Sequence, residues 1–224
     1  MLNLTRSLAL FDPELFTQDV HIIGCGATGS RIAMQIAMLG VKNITLWDDD
    51  IVEEHNIPNQ LFDWADIGKN KATALRQNID FKSTYNPLST ITVHEEKVTN
   101  QPLTGVVFLL TDTMASRSEI WKNCIKMNFR IPLMIETRMD VDNFRIYSIS
   151  PTNLEHTKYW EGTLCSDEEA VESACGGKLT IGATAETISG FSVWEFLKWH
   201  GSGIIGTELI MSLRPEPLIF LNSI

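Results

Sequence analysis

Basic residues are scarce in this chain of 224 residues: 18 lysines and arginines stand against 28 aspartates and glutamates, which gives a formal net charge of −10. Binding to duplex nucleic acid or to an anionic membrane surface requires a cationic face. We therefore expect neither nucleic acid nor a membrane as a partner. A nucleotide ligand is compatible with this charge, because backbone amides and a metal ion can bind its phosphates.

Cysteine is scarce as well, and the sequence has Cys25, Cys124, Cys165 and Cys175. Four cysteines are too few for a disulfide scaffold in a chain of this length, so we expect thiols in a reducing compartment. The amino-terminal segment has only a short apolar run before Asp12, which favours neither a signal peptide nor a membrane span. These absences together predict a cytoplasmic protein.

Predicted strands and helices alternate over the first part of the chain. Apolar runs predict strands at 20–23, 44–47, 90–94, 106–110, 131–136 and 144–150, and helical spacing predicts helices from about 29 to 39, at 69–80 and at 115–128. This alternation is typical of a Rossmann-like α/β fold, a mostly parallel sheet with helices on both faces. Beyond Pro151 the pattern weakens into an acidic, turn-rich stretch, followed by a crossing helix at 181–199 and a possible edge strand at 218–221.

A glycine-rich turn follows the first predicted strand and opens a helix that Gly40 is expected to close. The turn consists of Gly24, Cys25, Gly26, Ala27, Thr28 and Gly29. Glycines let backbone N–H groups approach a phosphate, and the amino terminus of the helix adds positive potential. The second strand ends at Asp48, 24 residues after Gly24, where a carboxylate can accept hydrogen bonds from a ribose. These features predict an adenosine site of NAD or ATP type, and the absence of a GxxxxGK[ST] sequence excludes an ordinary P-loop.

Polar residues in three further places favour ATP over NAD. They are Asp50, Asn56, Asn59 and Gln60 around the loop after the second strand, Lys71 after Gly68, and Asp112 with Arg117 five residues later. A dehydrogenase does not need a lysine and a metal-ready aspartate at this crevice. An enzyme that directs a carboxylate onto the α-phosphate of Mg·ATP needs both, because negative charge builds on that phosphate and on the departing pyrophosphate. A NAD-dependent oxidoreductase is the alternative hypothesis.

The order of these motifs over residues 6–136 resembles the adenylation core of the ThiF/MoeB/E1-like family. The resemblance implies an ATP-dependent adenylyltransferase. Such an enzyme activates the C-terminal carboxylate of a small ubiquitin-like or sulfur-carrier protein and releases pyrophosphate. We therefore expect one domain over residues 1–224, with a nucleotide-binding core at about 18–137 and an acceptor-binding part at about 138–224.

The same resemblance implies roles for individual residues. Asp48 would hold the ribose, and Asn56 and Gln60 would line the nucleotide pocket. Lys71 would contact phosphate, and Asp112 would bind Mg²⁺. In a homodimer, Arg6 would reach the phosphates bound in the partner subunit.

One departure from the family pattern lies in the loop. The family usually has arginine immediately before the loop glutamine, and this chain has Asn59 there. An asparagine carries no charge, so phosphate stabilisation would depend more on Lys71, Arg6 and Mg²⁺. A catalytically weakened nucleotide-binding scaffold is therefore a second alternative.

A second departure concerns cysteine. Relatives commonly hold a structural Zn²⁺ with two Cys-x-x-Cys pairs, whereas this chain has Cys165 and Cys175 with nine residues between them. A set of these two with His156 and His200 matches no familiar zinc module, so zinc is not expected. Cys175 and Cys165 are also candidate thioester- or persulfide-forming nucleophiles, and Cys25 and Cys124 are expected to be packed residues.

The charged candidates each have a structural explanation besides the functional one. Asp112 would cap the helix that follows it. Lys71 would be a solvated residue in the first turn of its helix. Arg117 would pair at the surface with Glu119 or Asp112.

Overall fold

The computed structural model describes residues 4–82, 89–172 and 181–224, and its strands form one eight-stranded sheet. The strands are β1 Val20–Ile23, β2 Asn43–Trp47, β3 Thr90–His94, β4 Val106–Leu109, β5 Leu133–Met139, β6 Asn143–Ile149, β7 Thr207–Ser212 and β8 Leu218–Ser223. Their order is β3-β2-β1-β4-β5-β6-β7-β8. Neighbours from β3 to β5 are parallel and neighbours from β5 to β8 are antiparallel. This sheet confirms the predicted α/β class.

The helices are α1 Ala27–Met38, α2 Lys71–Lys82, α3 Met114–Ile120, α4 Leu154–Glu161, α5 Asp167–Glu172 and α6 Gly182–Ser202. Helix α3 continues as a π-helical turn that ends at Ile125, short of the predicted end at 128. It ends there because the Asn128 side chain bonds to backbone carbonyls, donating to Cys124 O at 3.0 Å and Leu103 O at 3.1 Å. Gly40 follows α1 with φ +89°, as expected of a glycine that closes a helix.

Two apolar clusters cover the two faces of the sheet. Residues of α1, α2 and α6 pack with Phe108 of β4 on one face, and residues of α3 and α4 pack with Val107 of β4 on the other. Successive residues of β4 thus point to opposite faces, and both faces are buried. This explains the continuous apolar runs of the parallel strands, in which each fully buried large side chain contributes about 1.5–3 kcal/mol.

The structure differs from the sequence prediction after residue 151. Helices α4 and α5 replace the expected turn-rich stretch, and β7 lies between β6 and the confirmed edge strand β8. Asn153 starts α4, since its Oδ1 accepts hydrogen bonds from the Glu155 and His156 amides at 2.9 and 3.3 Å. Helix α4 buries only His156, Thr157 and Trp160. An eight-residue helix with so few buried positions gives little periodicity to read.

The carboxyl ends of β1, β2 and β4 lie together at one edge of the sheet. The chain leaves β1 toward β2 on one side, and β4 lies on the other side of β1. Such a reversal of strand order opens a crevice in which α/β proteins bind ligands. No helix in the described ranges has the length and apolar character needed to cross a membrane.

Candidate nucleotide site

The turn after β1 requires glycine at two positions and leaves space at a third. Gly24 has φ +95°, and a Cβ there would lie 2.7 Å from the Leu110 carbonyl oxygen. A Cβ on Gly29 would overlap the Gly24 carbonyl, so α1 packs directly on the turn. A Cβ on Gly26 would meet nothing within 4 Å. The approach to the amino terminus of α1 is therefore open at Gly26, and phosphate binding there stays a prediction.

The first turn of α1 is fixed by α6 and β5. Ala27 is the first residue of α1. Thr28 is buried, its carbonyl accepts the Ser189 hydroxyl at 3.2 Å, and its own hydroxyl lies 3.9 Å from the Met139 sulfur. These two predicted nucleotide-binding residues therefore form a rigid start to the helix.

Asp48 lies at the end of β2, directly beside the glycine turn. Its Oδ2 accepts the Cys25 amide at 2.6 Å, and its Oδ1 accepts the Asp50 amide at 2.9 Å. Burial raises the pKa of Asp48 above its usual value, while the two amides and the Lys71 ammonium oppose that rise. The carboxylate is thus held at the place where a ribose beyond the turn would need an acceptor.

Lys71 is turned toward the same carboxylates. Its Nζ lies 2.7 Å from Asp50 Oδ2, and its side chain is 11% exposed against 63% for Asp50. Asn70 supports this arrangement by donating to the Asp48 and Asp50 carbonyl oxygens at 2.8 and 3.1 Å. The interpretation of Lys71 as a solvated surface lysine is therefore wrong. Its amine is paired with an exposed carboxylate that a phosphate could replace.

Three neighbouring carboxylates approach one another at this edge. Among the residues that the structure describes, ligand atoms of Asp48, Asp49 and Asp50 lie within 4.8 Å of one another. The Asp48 carboxylate accepts hydrogen bonds from two backbone amides, and the Asp50 carboxylate pairs with the Lys71 amine. The Asp49 carboxylate lies 3.5 Å from Lys97 Nζ. Because their oxygens already have partners, these aspartates make a poorer cation site than a free carboxylate would.

Asp112 does not cap α3, so the expectation that it caps this helix is wrong. The N-cap is Thr113, whose Oγ1 accepts the Ser116 amide at 3.2 Å. The Met114 amide donates to Asp167 Oδ1 of α5 at 2.6 Å. Since other residues satisfy the start of α3, the exposed Asp112 carboxylate is not required there.

The position of Asp112 relates it to the glycine turn. It comes two residues after Leu110, whose carbonyl oxygen is the atom that a Cβ at Gly24 would contact. An exposed carboxylate at this strand end has the hard oxygen ligands that Mg²⁺ prefers. The assignment of Mg²⁺ to Asp112 stays a prediction.

Arg117 is buried in an ion cluster on the other face of the sheet. Its Nε lies 2.9 Å from Glu136 Oε1, and its Nη2 donates to Thr137 O at 3.1 Å. Arg138 also pairs with Glu136, at 3.0 Å. Burial lowers the pKa of Arg117, and the Glu136 carboxylate opposes this. Surface pairing with Glu119 is thus wrong, and nucleotide contact by Arg117 stays a prediction.

Two of the three candidate side chains in the loop after β2 accept hydrogen bonds from backbone amides of the protein. Asn56 Oδ1 accepts the Glu53 amide at 2.9 Å, and Asn59 Oδ1 accepts the Gly182 amide of α6 at 3.1 Å. Gln60 Oε1 is buried and has no hydrogen-bond partner within the described ranges. Gln60 is therefore the loop residue that keeps a buried acceptor for a ligand.

Two polar residues of this region were missed by sequence reasoning. Arg31 is buried on α1 and contacts the loop and α6 through its guanidinium. Arg31 lies off the apolar stripe that Ile32 and Ile36 form on α1, so periodicity gave no signal of its burial. Thr111, which precedes Asp112, has a buried Oγ1 with no partner in the part of the chain that the structure describes.

Cys25 lies within the glycine turn, and the other cysteines and Arg6 lie in other parts of the chain. Cys25 and Cys124 are buried as expected, and burial raises the pKa of both thiols. Cys165 is half-buried, and Cys175 lies outside the described residues. Arg6 is exposed in a turn before β1, so its contact with a partner subunit stays a prediction.

His156 and His200, the two histidines of the possible zinc set, contact other residues. His156 Nδ1 accepts the Ser150 amide at 3.1 Å, and its ring touches Gly206. His200 stacks on Phe196, with ring centroids 6.4 Å apart. Each ring is thus engaged in packing of its own.

Solved structures resemble this fold over almost the whole chain at low sequence identity. The crystal structure of Escherichia coli MccB with MccA superposes with a TM-score of 0.76 and 15% identity, covering 99% of this chain and 71% of that one. The structure of PaaA gives a TM-score of 0.65 and 18% identity over 92% of this chain and 73% of that one. At such identities the likeness shows the fold.

Curated relatives match about half of the chain at higher identity. The sulfur carrier protein ThiS adenylyltransferase of Escherichia coli K12 is 33% identical over 122 residues, 51% of this chain and 47% of the relative. Ubiquitin-activating enzyme E1 2 of Arabidopsis thaliana is 32% identical over 127 residues, 54% of this chain and 12% of that enzyme. The chain thus matches about half the length of the first relative and a small part of the second. The model of the ThiF family matches residues 9–203. This protein is therefore a member of the ThiF family.

Proposed function

We propose that this protein is an ATP-dependent adenylyltransferase that activates the C-terminal carboxylate of a small ubiquitin-like or sulfur-carrier protein. The observation that carries the proposal is that the Asp48 carboxylate accepts the amide of Cys25 in the glycine turn, while the Lys71 amine pairs with Asp50, two residues after Asp48. The names of the relatives, a ThiS adenylyltransferase and a ubiquitin-activating enzyme, support this class of acceptor. Family membership also favours ATP over NAD.

The described side chains suggest how ATP would be held. Backbone N–H groups of the turn and the start of α1 would bind phosphate oxygens. The Asp48 carboxylate would accept hydrogen bonds from the ribose hydroxyls. Lys71 would exchange the exposed Asp50 carboxylate for a phosphate, which costs little because that pair is partly solvated.

The reaction is one substitution at phosphorus. A carboxylate oxygen of the acceptor attacks the α-phosphorus, and the bond from that phosphorus to the bridging β-phosphate oxygen breaks. Pyrophosphate leaves with the electron pair, and the acceptor becomes an acyl-adenylate. The Lys71 ammonium would stabilise the charge that builds on the phosphates. Mg²⁺, if held by Asp112, would supply further charge neutralisation at the same phosphates.

Exchange of labelled pyrophosphate into ATP, with candidate acceptor proteins present, tests the activity. Lys71→Ala should lower the exchange rate by about 100-fold, because a preorganised charge on the phosphates is lost. The matched control is Lys69→Ala, since the Lys69 amine binds Asp66 and Gln77 at 3.0 Å. Equal effects of the two substitutions would contradict the role given to Lys71.

The metal assignment has a separate test. Asp112→Asn should raise the Mg²⁺ concentration needed for half-maximal exchange, because a neutral amide is a poorer ligand than a carboxylate. If Asp112→Ala and Asp112→Asn leave both the rate and the Mg²⁺ dependence unchanged, the metal is held elsewhere.

A nucleotide-binding scaffold without turnover is the second candidate, and Asn59 favours it. The Asn59 side chain bonds to the Gly182 amide, so the loop has an asparagine that serves α6 rather than a cation for phosphate. This candidate predicts Mg·ATP binding with no exchange in the presence of any acceptor. Asn59→Arg would then be expected to create exchange activity, whereas in an active enzyme it should mainly disturb the start of α6.

The NAD alternative is tested by ligand stabilisation. A ligand that binds only the folded state raises the melting temperature more, at equal concentration, the lower its dissociation constant. We expect Mg·ATP to raise the Tm more than NAD at equal concentration. The opposite order would favour the oxidoreductase.

A further inference from the structure

We infer that Arg31 is a positioning residue of the nucleotide site, which holds the loop after β2 so that Gln60 faces the ligand. The inference deepens the proposed function and rests on its nucleotide-binding step. It assigns a role to a buried arginine that does not itself reach the reacting atoms.

Contacts on both sides of Gln60 fix the loop to α1. Arg31 Nη1 donates to the Asn59 carbonyl oxygen at 2.8 Å and to the Ala27 carbonyl oxygen at 2.9 Å. The neighbouring Ser30 hydroxyl accepts the Leu61 amide at 3.2 Å. The residues immediately before and after Gln60 are thus both bound to the helix that carries the glycine turn.

The same guanidinium connects the loop to α6. Arg31 Nε lies 2.8 Å from Glu186 Oε1, and the Asn59 side chain accepts the Gly182 amide at 3.1 Å. The Arg31 side chain is 7% exposed. Placing a charge there is costly unless it is paired, and the Glu186 carboxylate and the two backbone carbonyl oxygens pair with this guanidinium. Arg31 therefore joins α1, the loop and α6 through one planar group.

These contacts position Gln60, which lies between the two fixed residues of the loop. Its Oε1 is buried without a partner in the described ranges, and leaving such an acceptor unsatisfied destabilises the protein. A ligand donor that reaches Oε1 would remove that cost. Because the backbone on both sides is fixed, the amide would meet the ligand with little loss of freedom on binding.

The contact of Arg31 with the loop does not depend on the side chain at position 59. Its guanidinium donates to the Asn59 carbonyl oxygen, a backbone atom that any residue would offer there. The loop is thus held through its backbone by a cation from α1.

The test is a double-mutant cycle on nucleotide binding. The dissociation constant of Mg·ATP is measured by calorimetry for wild type, Arg31→Ala, Gln60→Ala and the double variant, and KM and kcat for exchange are measured alongside. Each single substitution should weaken Mg·ATP binding by about tenfold, because one ligand hydrogen bond is lost or misplaced. The double variant should be no weaker than Arg31→Ala, since Arg31 acts through Gln60. KM for ATP should rise more than kcat falls.

Two further variants sharpen the cycle. Arg31→Lys should recover part of the affinity, because an ammonium can reach one carbonyl but cannot replace the fork of the guanidinium. Arg76→Ala is the control, an exposed arginine of α2 that pairs with Asp80 at 3.4 Å, and should leave binding unchanged. If Arg31→Ala does not fold, Arg31→Lys takes its place in the cycle with Gln60→Ala.

The outcomes distinguish the positioning role of Arg31 from the proposed function. Additive effects in the cycle, or an unchanged dissociation constant in the Arg31 variants, would overturn the positioning role. A wild-type protein that binds Mg·ATP but exchanges no pyrophosphate would overturn the proposed function, and the cycle in dissociation constants would still decide the role of Arg31. A wild type that binds no Mg·ATP overturns both.

Discussion

The glycines of the nucleotide turn are constrained to different degrees. A Cβ on Gly29 would overlap the Gly24 carbonyl, so Gly29→Ala must separate α1 from the turn. We expect it to lower the free energy of unfolding by more than about 3 kcal/mol, measured by urea denaturation. Gly26→Ala should change stability by only about 1 kcal/mol, because there is space for its Cβ.

The same pair tests the nucleotide site. The methyl group of Gly26→Ala would occupy the space assigned to phosphate, so this variant should fold and bind Mg·ATP at least about tenfold more weakly. Calorimetry of the folded variant measures this loss. Wild-type affinity in Gly26→Ala would show that the phosphates do not lie there.

Two elements are joined to the sheet by the buried carboxylate of Glu136. It pairs with Arg117 of α3 and Arg138 of β5, and it accepts the Trp160 indole N–H of α4 at 3.2 Å. Glu136→Gln would remove the carboxylate that pairs with both buried guanidinium groups, and should cost about 3–5 kcal/mol of unfolding free energy. Urea denaturation measures the loss. The exposed acid Glu119 supplies the control, since Glu119→Gln should stay within about 0.5 kcal/mol of wild type.

The antiparallel edge of the sheet is held by Glu208 on β7. Tyr159 donates to its carboxylate at 2.7 Å and Asn222 of β8 at 2.9 Å, and Arg145 of β6 lies 3.2 Å away. Burial raises the pKa of Glu208, but these hydrogen bonds and the Arg145 charge outweigh that effect and leave the pKa below its usual value. The carboxylate therefore binds protons less readily in the folded state than in the unfolded state.

The lowered pKa of Glu208 sets the pH range over which this carboxylate stabilises the folded state. The stabilisation is complete above the unfolded pKa of about 4.5 and is lost as the pH falls through the lower folded pKa. Glu208→Gln should lower the unfolding free energy by about 2 kcal/mol at pH 7, and the difference from wild type should shrink in unfolding curves taken down to pH 3. A difference that stays constant with pH would contradict this assignment. Glu216→Gln, in the exposed turn before β8, is the control.

At the scale of the whole molecule, the homodimer implied by the family resemblance can be tested by subunit mixing. Arg6→Ala and Asp112→Ala subunits are each expected to be inactive alone. If Arg6 serves the site of the partner subunit, a refolded equal mixture should recover about a quarter of wild-type exchange, because half of the dimers are mixed and each has one intact site. Refolded samples of each variant alone are the controls. A mixture as inactive as its components would count against a shared site.

Local signals in the sequence are enough to predict the parallel core and the glycine turn. β1 and β3 have the predicted bounds, because apolar strands bounded by turn residues are local signals. The spacing of strand, turn and helix predicts Asp48 beside the glycine turn, and it lies there because the carboxyl ends of parallel strands lie at one edge of a sheet. Lys71 is proposed from the polar sequence after Gly68 and from the family resemblance, and its contact with phosphate stays a prediction.

The partners of the polar residues at this edge depend on tertiary contacts. In the folded protein the Asn59 side chain accepts the Gly182 amide of α6. Thr113 and Asp167 accept the first amides of α3, and Arg117 is buried beside Glu136. The fold also brings Arg31 to the backbone of the loop, a contact between residues 28 positions apart. Hydrogen bonds and ion pairs between distant segments depend on distances that form only when helices pack on the sheet. Periodicity and spacing therefore predict the elements and the edge where the site lies, but not the partners of its side chains.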